Sequence, residues 1–479
     1  MRYHKTTLES PRAAPELLIR IERESGAALR AQVERELREA IRAGRLPPGA
    51  ELPSTRALAA DLGISRGIVV EAYEQLLAEG YLTARRGSAT TVAAGRRAAQ
   101  PAAADEPPSP IEKSAVANFR FDFRPSVPDT AMFPRRAWHK SLRKVLTTAS
   151  TAALDYPDPR GALALRTALS AYLNRVRGTA ARPERMLMCN GFTQGFRLVC
   201  SVLKQRGARA VATEDPSHEE QREAIRAVGL KVVTVPVDDQ GLVVERLERT
   251  GASAVLTTPA HQFPTGSVLA PERRAALLDW AARRQAFVIE DDYDAEFRYD
   301  REPVGSLQGV APERVVYVGS ASKTLAPALR LGWLVAPADL LKGLARTKEL
   351  EDRGSPSLEQ LAFADFLERG ELDRHLRRMR LIYRRRRDAL GRALRTHLPK
   401  RRVFGIAAGL NLMLELPAGS DESGISAAAA ELSVNVGGVH AYCVRARTPP
   451  ALILGYGALR DSAIAEGIRR LASVVEGRR

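Results

Sequence analysis

Six short runs rich in branched apolar residues recur between residues 186 and 318, at 186–189, 210–213, 231–235, 254–257, 287–290 and 315–318. Helical patterns separate them. Such alternation builds a mostly parallel sheet with helices on both faces, so this part of the chain reads as an α/β fold. Ligand groups in that fold collect at the carboxyl ends of the strands. Polar clusters occupy those ends here: Asn190-Gly191-Phe192-Thr193-Gln194, Asp215-Pro216-Ser217-His218, Asp291-Asp292-Tyr293-Asp294 and Ser320-Ala321-Ser322-Lys323.

The sheet does not begin the chain. Residues 93–110 read AAGRRAAQPAAADEPPSP, with no aromatic or branched apolar side chain. That composition cannot bury a core and behaves as a linker. The expected organisation is a small unit over 1–92, a linker over 93–118 and a large unit over 119–479. The large unit exceeds the usual size of one core, so a mostly parallel sheet and a smaller C-terminal α/β subdomain are expected within it.

In the small unit, Leu29, Val33, Leu37 and Ile41 form the stripe of an amphipathic helix that Gly44 and Pro47-Pro48-Gly49 end. Ser54 is placed to cap a second helix, and Ser65 a third after a turn at Gly63. Ile68, Val69, Tyr73, Leu76 and Leu77 give that third helix its buried face. Residues 81–92 read as two strands around an Arg-Gly tip. The pattern is a winged helix-turn-helix. Its stretch LPSTRALAADLGISRGIVVEAYEQLLAEGYLTARRG (52–87) resembles the GntR family of bacterial regulators. The resemblance implies a partner, double-stranded operator DNA, that Arg56, Ser65, Arg66 and Gly67 face, with Arg86 and Gly87 entering the minor groove. Arginine can read guanine bidentately, and a glycine tip lets backbone approach the groove floor. Ile68 departs from the pattern, standing where relatives carry a hydroxyl residue able to touch phosphate.

Charge alone does not locate the DNA. Lys plus Arg number 73 against 56 Asp plus Glu, a net +17 that favours an anionic partner. The first 100 residues hold 16 basic and 12 acidic side chains, so most of the surplus lies downstream, including Arg384-Arg385-Arg386-Arg387. That run reads as the solvated face of a helix, or as a second, non-specific footprint on DNA. No uncharged apolar run reaches the length of a membrane span, Met1–Ser10 lacks the apolar core of a secretory signal, and three scattered cysteines fit reduced thiols. A cytoplasmic protein without membrane attachment is expected.

Lys323 carries the chemistry of the large unit. A lysine amine held between polar and apolar walls loses its proton and attacks a carbonyl, forming a Schiff base. Ser320, Ser322 and Arg330 can hold an anionic group such as phosphate, Asp291 can keep a pyridine nitrogen protonated, and Tyr293 can bond a ring oxygen. These are the requirements of pyridoxal 5′-phosphate. The motifs Tyr156-Pro157-Asp158-Pro159-Arg160-Gly161, His261-Gln262-Phe263-Pro264-Thr265-Gly266, EDDYDAEFRYD (290–300) and SASKTLAPALRLGW (320–333) resemble fold-type I aminotransferases of the class I/II group over residues 119–479. Joined to a GntR-type reader, the whole resembles the MocR subfamily of transcriptional regulators.

By that resemblance Lys323 forms the Schiff base, Asp291 pairs with the pyridine nitrogen and Tyr293 binds the phenolic oxygen. Gly191, Phe192 and Thr193 contact phosphate at a helix N-terminus, Ser320, Ser322 and Arg330 complete the cup, and Tyr156 reaches it from the other subunit of a homodimer. The reader of one subunit is expected against the large unit of the other. Three departures argue against efficient amino-acid transamination. Phe263 replaces the asparagine before Pro-Thr-Gly. His218, a ring that titrates near neutrality, replaces the stacking aromatic. Ile453 stands where a C-terminal arginine grips the substrate carboxylate, with Arg445 and Arg447 as potential substitutes.

Other readings of these residues are weaker. Ser320-Ala321-Ser322-Lys323 satisfies the S-x-x-K pattern of penicillin-binding enzymes, whose companion motifs are missing. The acidic cluster 290–294 does not converge on a metal if its residues alternate along a strand, and no histidine pair has zinc spacing. The expected function is thus a pyridoxal-phosphate-dependent regulator whose small-molecule effector is the cofactor or an amine that reacts with it. The alternatives are a working aminotransferase that carries a DNA-binding module, and a regulator with a vestigial pocket.

Overall fold

The computed structural model describes residues 19–23, 26–85, 88–94, 119–299, 304–405 and 408–477. The linker from residue 95 onward and the wing-tip residues Arg86 and Gly87 lie outside the described residues. Two compact units are formed, Met1–Val116 and Ala117–Arg479.

In the first unit three helices, Leu29–Arg42, Thr55–Leu62 and Arg66–Ala78, precede a two-stranded antiparallel ribbon that pairs Leu82 with Val92 and Thr83 with Thr91. Val33, Leu37, Leu58, Val69, Tyr73, Leu76, Leu82 and Val92 share its core. Ile68 was expected in that core but is only half-buried and is not among the residues packed in it. Arg38 ties the first helix to the end of the third, bonding both Glu79 oxygens at 2.8 Å. The Ser54 hydroxyl caps the second helix by accepting from the Ala57 N–H at 3.2 Å. Ser65 stands at the N-cap of the third helix but makes no capping bond, contrary to expectation. Ser54→Ala should therefore cost about 0.5–2 kcal/mol and Ser65→Ala only a few tenths. Amide hydrogen exchange within Thr55–Leu62 of the full chain checks this, and equal losses in both variants would contradict it.

The second unit is built on an eight-stranded sheet. Its order is Met186–Cys189, Gly332–Val335, Val315–Ser320, Phe287–Asp292, Ala254–Thr257, Ala210–Asp215, Lys231–Asp238 and Gly241–Leu242. The five strands from Val315–Ser320 to Lys231–Asp238 run parallel. Gly332–Val335 is antiparallel to both its neighbours, which leaves Met186–Cys189 pointing with the parallel set. Alternate residues serve opposite layers: Val316 and Val318 pack on one face, Val315 and Tyr317 on the other. Both faces are covered, and all five parallel strands lift their final residues to one edge.

A smaller antiparallel sheet of Val403–Phe404, Asn411–Glu415, Ala451–Gly455 and Gly437–Gly438 follows, beside the packed helices Glu371–His397 and Asp461–Gly477. The arginine run on the first of these helices is not a solvated face. Arg386 and Arg387 are buried; Arg386 bonds Asp129 at 2.7 Å and the Gly457 carbonyl, and the Arg387 guanidinium lies 5.0 Å from the Tyr299 ring centroid. Arg385 pairs with Asp461 at 2.5 Å, so the run closes the subdomain and leaves Arg384 exposed. Among the described residues no helix is long and apolar enough to cross a membrane.

Candidate functional site

Two surfaces gather the residues singled out above. On the small unit, Arg56, Ser65, Arg66 and Gly67 are all exposed, the last three at the start of the Arg66–Ala78 helix. With Ser65 capping nothing, the first N–H groups of that helix are left for an outside acceptor. A Cβ on Gly67 would meet nothing nearer than 4.0 Å, so backbone there can approach another surface closely. Arg66 is held only by a 3.4 Å contact from Nε to the Thr55 hydroxyl.

On the large unit, a cavity of about 320 Å³ opens at the edge where the parallel strands end. Lys323 enters it just past Val315–Ser320. Burial pulls the Lys323 amine below its ordinary value, while Asp294 and Asp291 act to raise it. Asp291, the fifth residue of its strand, is buried and receives only the Gln221 amide at 3.2 Å. Burial, then Asp292 and Asp294, push its carboxyl well above the usual range. Lys323 acts to lower it from within the same cavity, but Asp291 forms no ion pair among the described residues, and a protonated ring nitrogen would supply a direct partner.

A cup lies at the other end of the cavity. The Phe192–Gln205 helix begins there, with Gly191 at its N-cap in the left-handed region at φ 84°. Arg330 bonds the Asn190 carbonyl, and its guanidinium lies so close that a Cβ on Gly191 would come within 2.8 Å of it. Thr193, Ser320 and Ser322 also line the cavity. Hydroxyls, a guanidinium and free helix N–H groups are donors suited to phosphate.

The acidic clusters divide their labour by alternation along the strands. Asp292 faces away from the cavity and is clamped by buried Arg177 at 2.7 Å and by the Tyr317 hydroxyl at 2.5 Å. Asp215 accepts the N–H groups of Val444, Arg445 and Ala446. Tyr293 lines the cavity and places its oxygen 3.0 Å from His261 Nδ1. Glu214, which also lines the cavity, accepts from Thr257, Thr258 and Gln262. Residue types alone gave no signal for Gln221 or Glu214, and His261 was visible only as the first residue of the motif 261–266.

Three expectations change. His218 does not titrate near neutrality: burial pulls it down to about 4, so its ring is uncharged over the working range. It stacks on Phe263 with centroids 3.9 Å apart and planes within 8°. Glu219 adds no free charge beside it, being bonded to Arg222 and Arg226; only Glu220 stands near, at 3.7 Å. Ile453 is buried between Met413 and Gly437 and does not line the cavity. Arg445 and Arg447 are exposed and do not line it either, so neither substitutes for a carboxylate-gripping arginine within the described chain. Tyr156 is 74% exposed beneath the Arg353 guanidinium, away from the cavity of its own chain.

Residues 127–450 match the aminotransferase class I and II family, and residues 29–92 match the gntR family of bacterial regulatory proteins. The chain is 33% identical to the HTH-type pyridoxine biosynthesis transcriptional regulator PdxR of Corynebacterium glutamicum, over 80% of this chain and 82% of that one. It is 30% identical to the probable rhizopine catabolism regulatory protein MocR of Rhizobium meliloti, over 95% of each. Its second unit also resembles the crystal structure of the alpha-aminoadipate aminotransferase LysN of Thermus thermophilus, complexed with N-(5′-phosphopyridoxyl)-L-leucine. That likeness has a TM-score of 0.66 and 28% identity, and covers 74% of this chain and 92% of the other.

Proposed function

The chain belongs to the aminotransferase class I and II family, with a GntR-type reader ahead of that domain as in MocR-type regulators, and we propose that it is a transcriptional regulator that binds operator DNA and pyridoxal 5′-phosphate. One observation carries the second half. A half-buried lysine, a buried carboxyl with no ion pair among the described residues, and a cup of phosphate donors share one cavity at the strand edge.

These residues fit the cofactor. When bound, pyridoxal phosphate supplies an aldehyde open to attack by an amine and a ring that draws electrons from the carbon attached. Lys323 offers that amine, whose proton burial loosens relative to a free lysine. Asp291 holds a proton on the ring nitrogen, and Tyr293 donates toward the ring oxygen. Gly191, Phe192, Thr193, Ser320, Ser322 and Arg330 hold the phosphate. His218, uncharged and stacked on Phe263, covers the ring and excludes water. Tyr156, exposed on its own chain, suits a role at the cavity of a second copy, and a homodimer working in the cytoplasm is the assembly this reading takes.

The effector follows from what the cavity lacks. Among its described lining residues, Lys323 and Arg330 are the cations, and the reading assigns both to the cofactor. An α-amino acid would bring a carboxylate with no cation to meet it, past Glu220 at the mouth. The signal is therefore the cofactor itself or an amine without a carboxylate, and sustained transamination is not expected. A ligand switches the reader only by binding one arrangement of the protein more tightly than another. Pyridoxal phosphate alone should change operator affinity several-fold, about 1 kcal/mol of coupling. The check is a titration of cofactor-free protein on operator DNA. If affinity is flat with the cofactor and moves only when an α-amino acid joins it, the effector assignment fails. Steady turnover of an amino donor and a 2-oxo acid would instead restore the aminotransferase reading.

A further inference from the structure

His261 opens the turn after the Ala254–Thr257 strand and does not line the cavity, yet it touches a residue that does. Its Nδ1 lies 3.0 Å from Asp294 Oδ2 and 3.0 Å from the Tyr293 hydroxyl. The His261 and Asp294 side chains are each 1% exposed. Gly409 allows the ring its place, since a Cβ there would collide with His261 Cε1. The ring is locked, and its tautomer can be argued. Nε2 is buried with no partner among the described residues, so a proton there would be an unsatisfied donor. Nδ1 faces a carboxylate, which only accepts. The proton therefore sits on Nδ1 and is shared between Asp294 and the Tyr293 oxygen.

A phenol whose oxygen already receives an N–H cannot donate back along that line. Burial, with Asp294 and Asp291, keeps the Tyr293 phenol protonated, and Asp294 also accepts a hydrogen bond from it; the imidazole N–H shares that carboxylate, so the phenol proton can leave Asp294 for an acceptor in the cavity. Phe263 offers no donor where the resembling aminotransferases carry an amide. We propose that His261, backed by Asp294, is a positioning residue that aims the Tyr293 hydroxyl as a donor toward the ring oxygen of the pyridoxal group. This rests on the cofactor assignment above. Without the imidazole to share that carboxylate, Tyr293 would stay bonded to Asp294, and the cavity would lose its donor.

A donor on the ring oxygen favours the form in which the Schiff base has lost its proton, because that form carries more negative charge on the oxygen. The charged or titratable groups acting on or facing Lys323 are Asp294, Asp291 at the end of the neighbouring strand, Glu214 and His218 across the cavity, Arg330 in the cup and Glu220. All are the same in every variant. In the cofactor-loaded full chain, His261→Leu should raise the pH midpoint of the Schiff-base absorbance change by about one unit. His261→Asn, which can still donate to Asp294, should stay near the parent. Tyr293→Phe should raise the midpoint as well, and His261→Leu should add nothing to it, since both act through one hydroxyl. A purely structural histidine would lower the melting temperature or cofactor occupancy without moving the midpoint. Overlay of His261→Leu on the parent, or shifts that add in the double variant, overturns the proposal. Absence of any Schiff-base band in the parent overturns the cofactor assignment on which it stands.

Discussion

Lys323→Ala is expected to abolish the visible Schiff-base absorbance of the protein with pyridoxal phosphate, and Lys323→Arg should do the same. Lys323 is the one lysine among the described residues lining the cavity, so the aldehyde has no other amine to meet there. The alanine variant removes the cation and the nucleophile together; the arginine variant keeps a cation but cannot form the imine at working pH. Burial holds the Lys323 amine below its ordinary value, so attack by the unprotonated amine begins at lower pH than for a free lysine. The phosphate cup is untouched in both, so residual binding without the band fits the account. A band that survives in either variant removes Lys323 from its role.

On the small unit, Arg66→Ala should weaken specific operator binding by about 1–3 kcal/mol and relax base preference at one position of each half-site. Arg66 begins the third helix, its head tethered only weakly to Thr55, so the guanidinium can leave that contact for a base edge at little cost. Arg384→Ala serves as the control. That side chain is exposed on a helix whose neighbouring arginines are engaged within the large unit, so its loss should at most alter the salt dependence. Operator binding by Arg66→Ala equal to the parent would reassign the reading helix.

The five parallel strands and their antiparallel neighbours divide by how much of their signal is local. Runs such as Val315–Ser320 and Phe287–Asp292 are apolar on both faces, so they stood out by composition. The antiparallel Gly332–Val335 strand was masked where it overlaps the motif 320–333, because the loop before it (324–331) is itself mostly apolar and its direction is set by neighbours far along the chain. Burial of Arg386 depends on Asp129, more than 250 residues away, and no helical periodicity reports that. The same limit applied in the site. Lys323, Asp291, Tyr293 and the cup were legible because their chemistry is unusual and they sit at strand ends. His261 became a partner of Tyr293 only through the turn that folds it back between Gly266 and Gly409. His218 drew a near-neutral expectation from its residue type, whereas its titration is set by the burial it meets in the fold.

The central claim is that one protein couples a Schiff base at Lys323 to the grip of the small unit on DNA. The measurement that reaches it most directly is operator affinity of the full chain against pyridoxal phosphate concentration, run in parallel for the parent and Lys323→Arg. The account predicts a several-fold change in the parent, about 1 kcal/mol of coupling, and a flat response in the variant. Equal responses in the two proteins would contradict it, as would a parent that holds the cofactor at Lys323 and binds its operator with unchanged affinity.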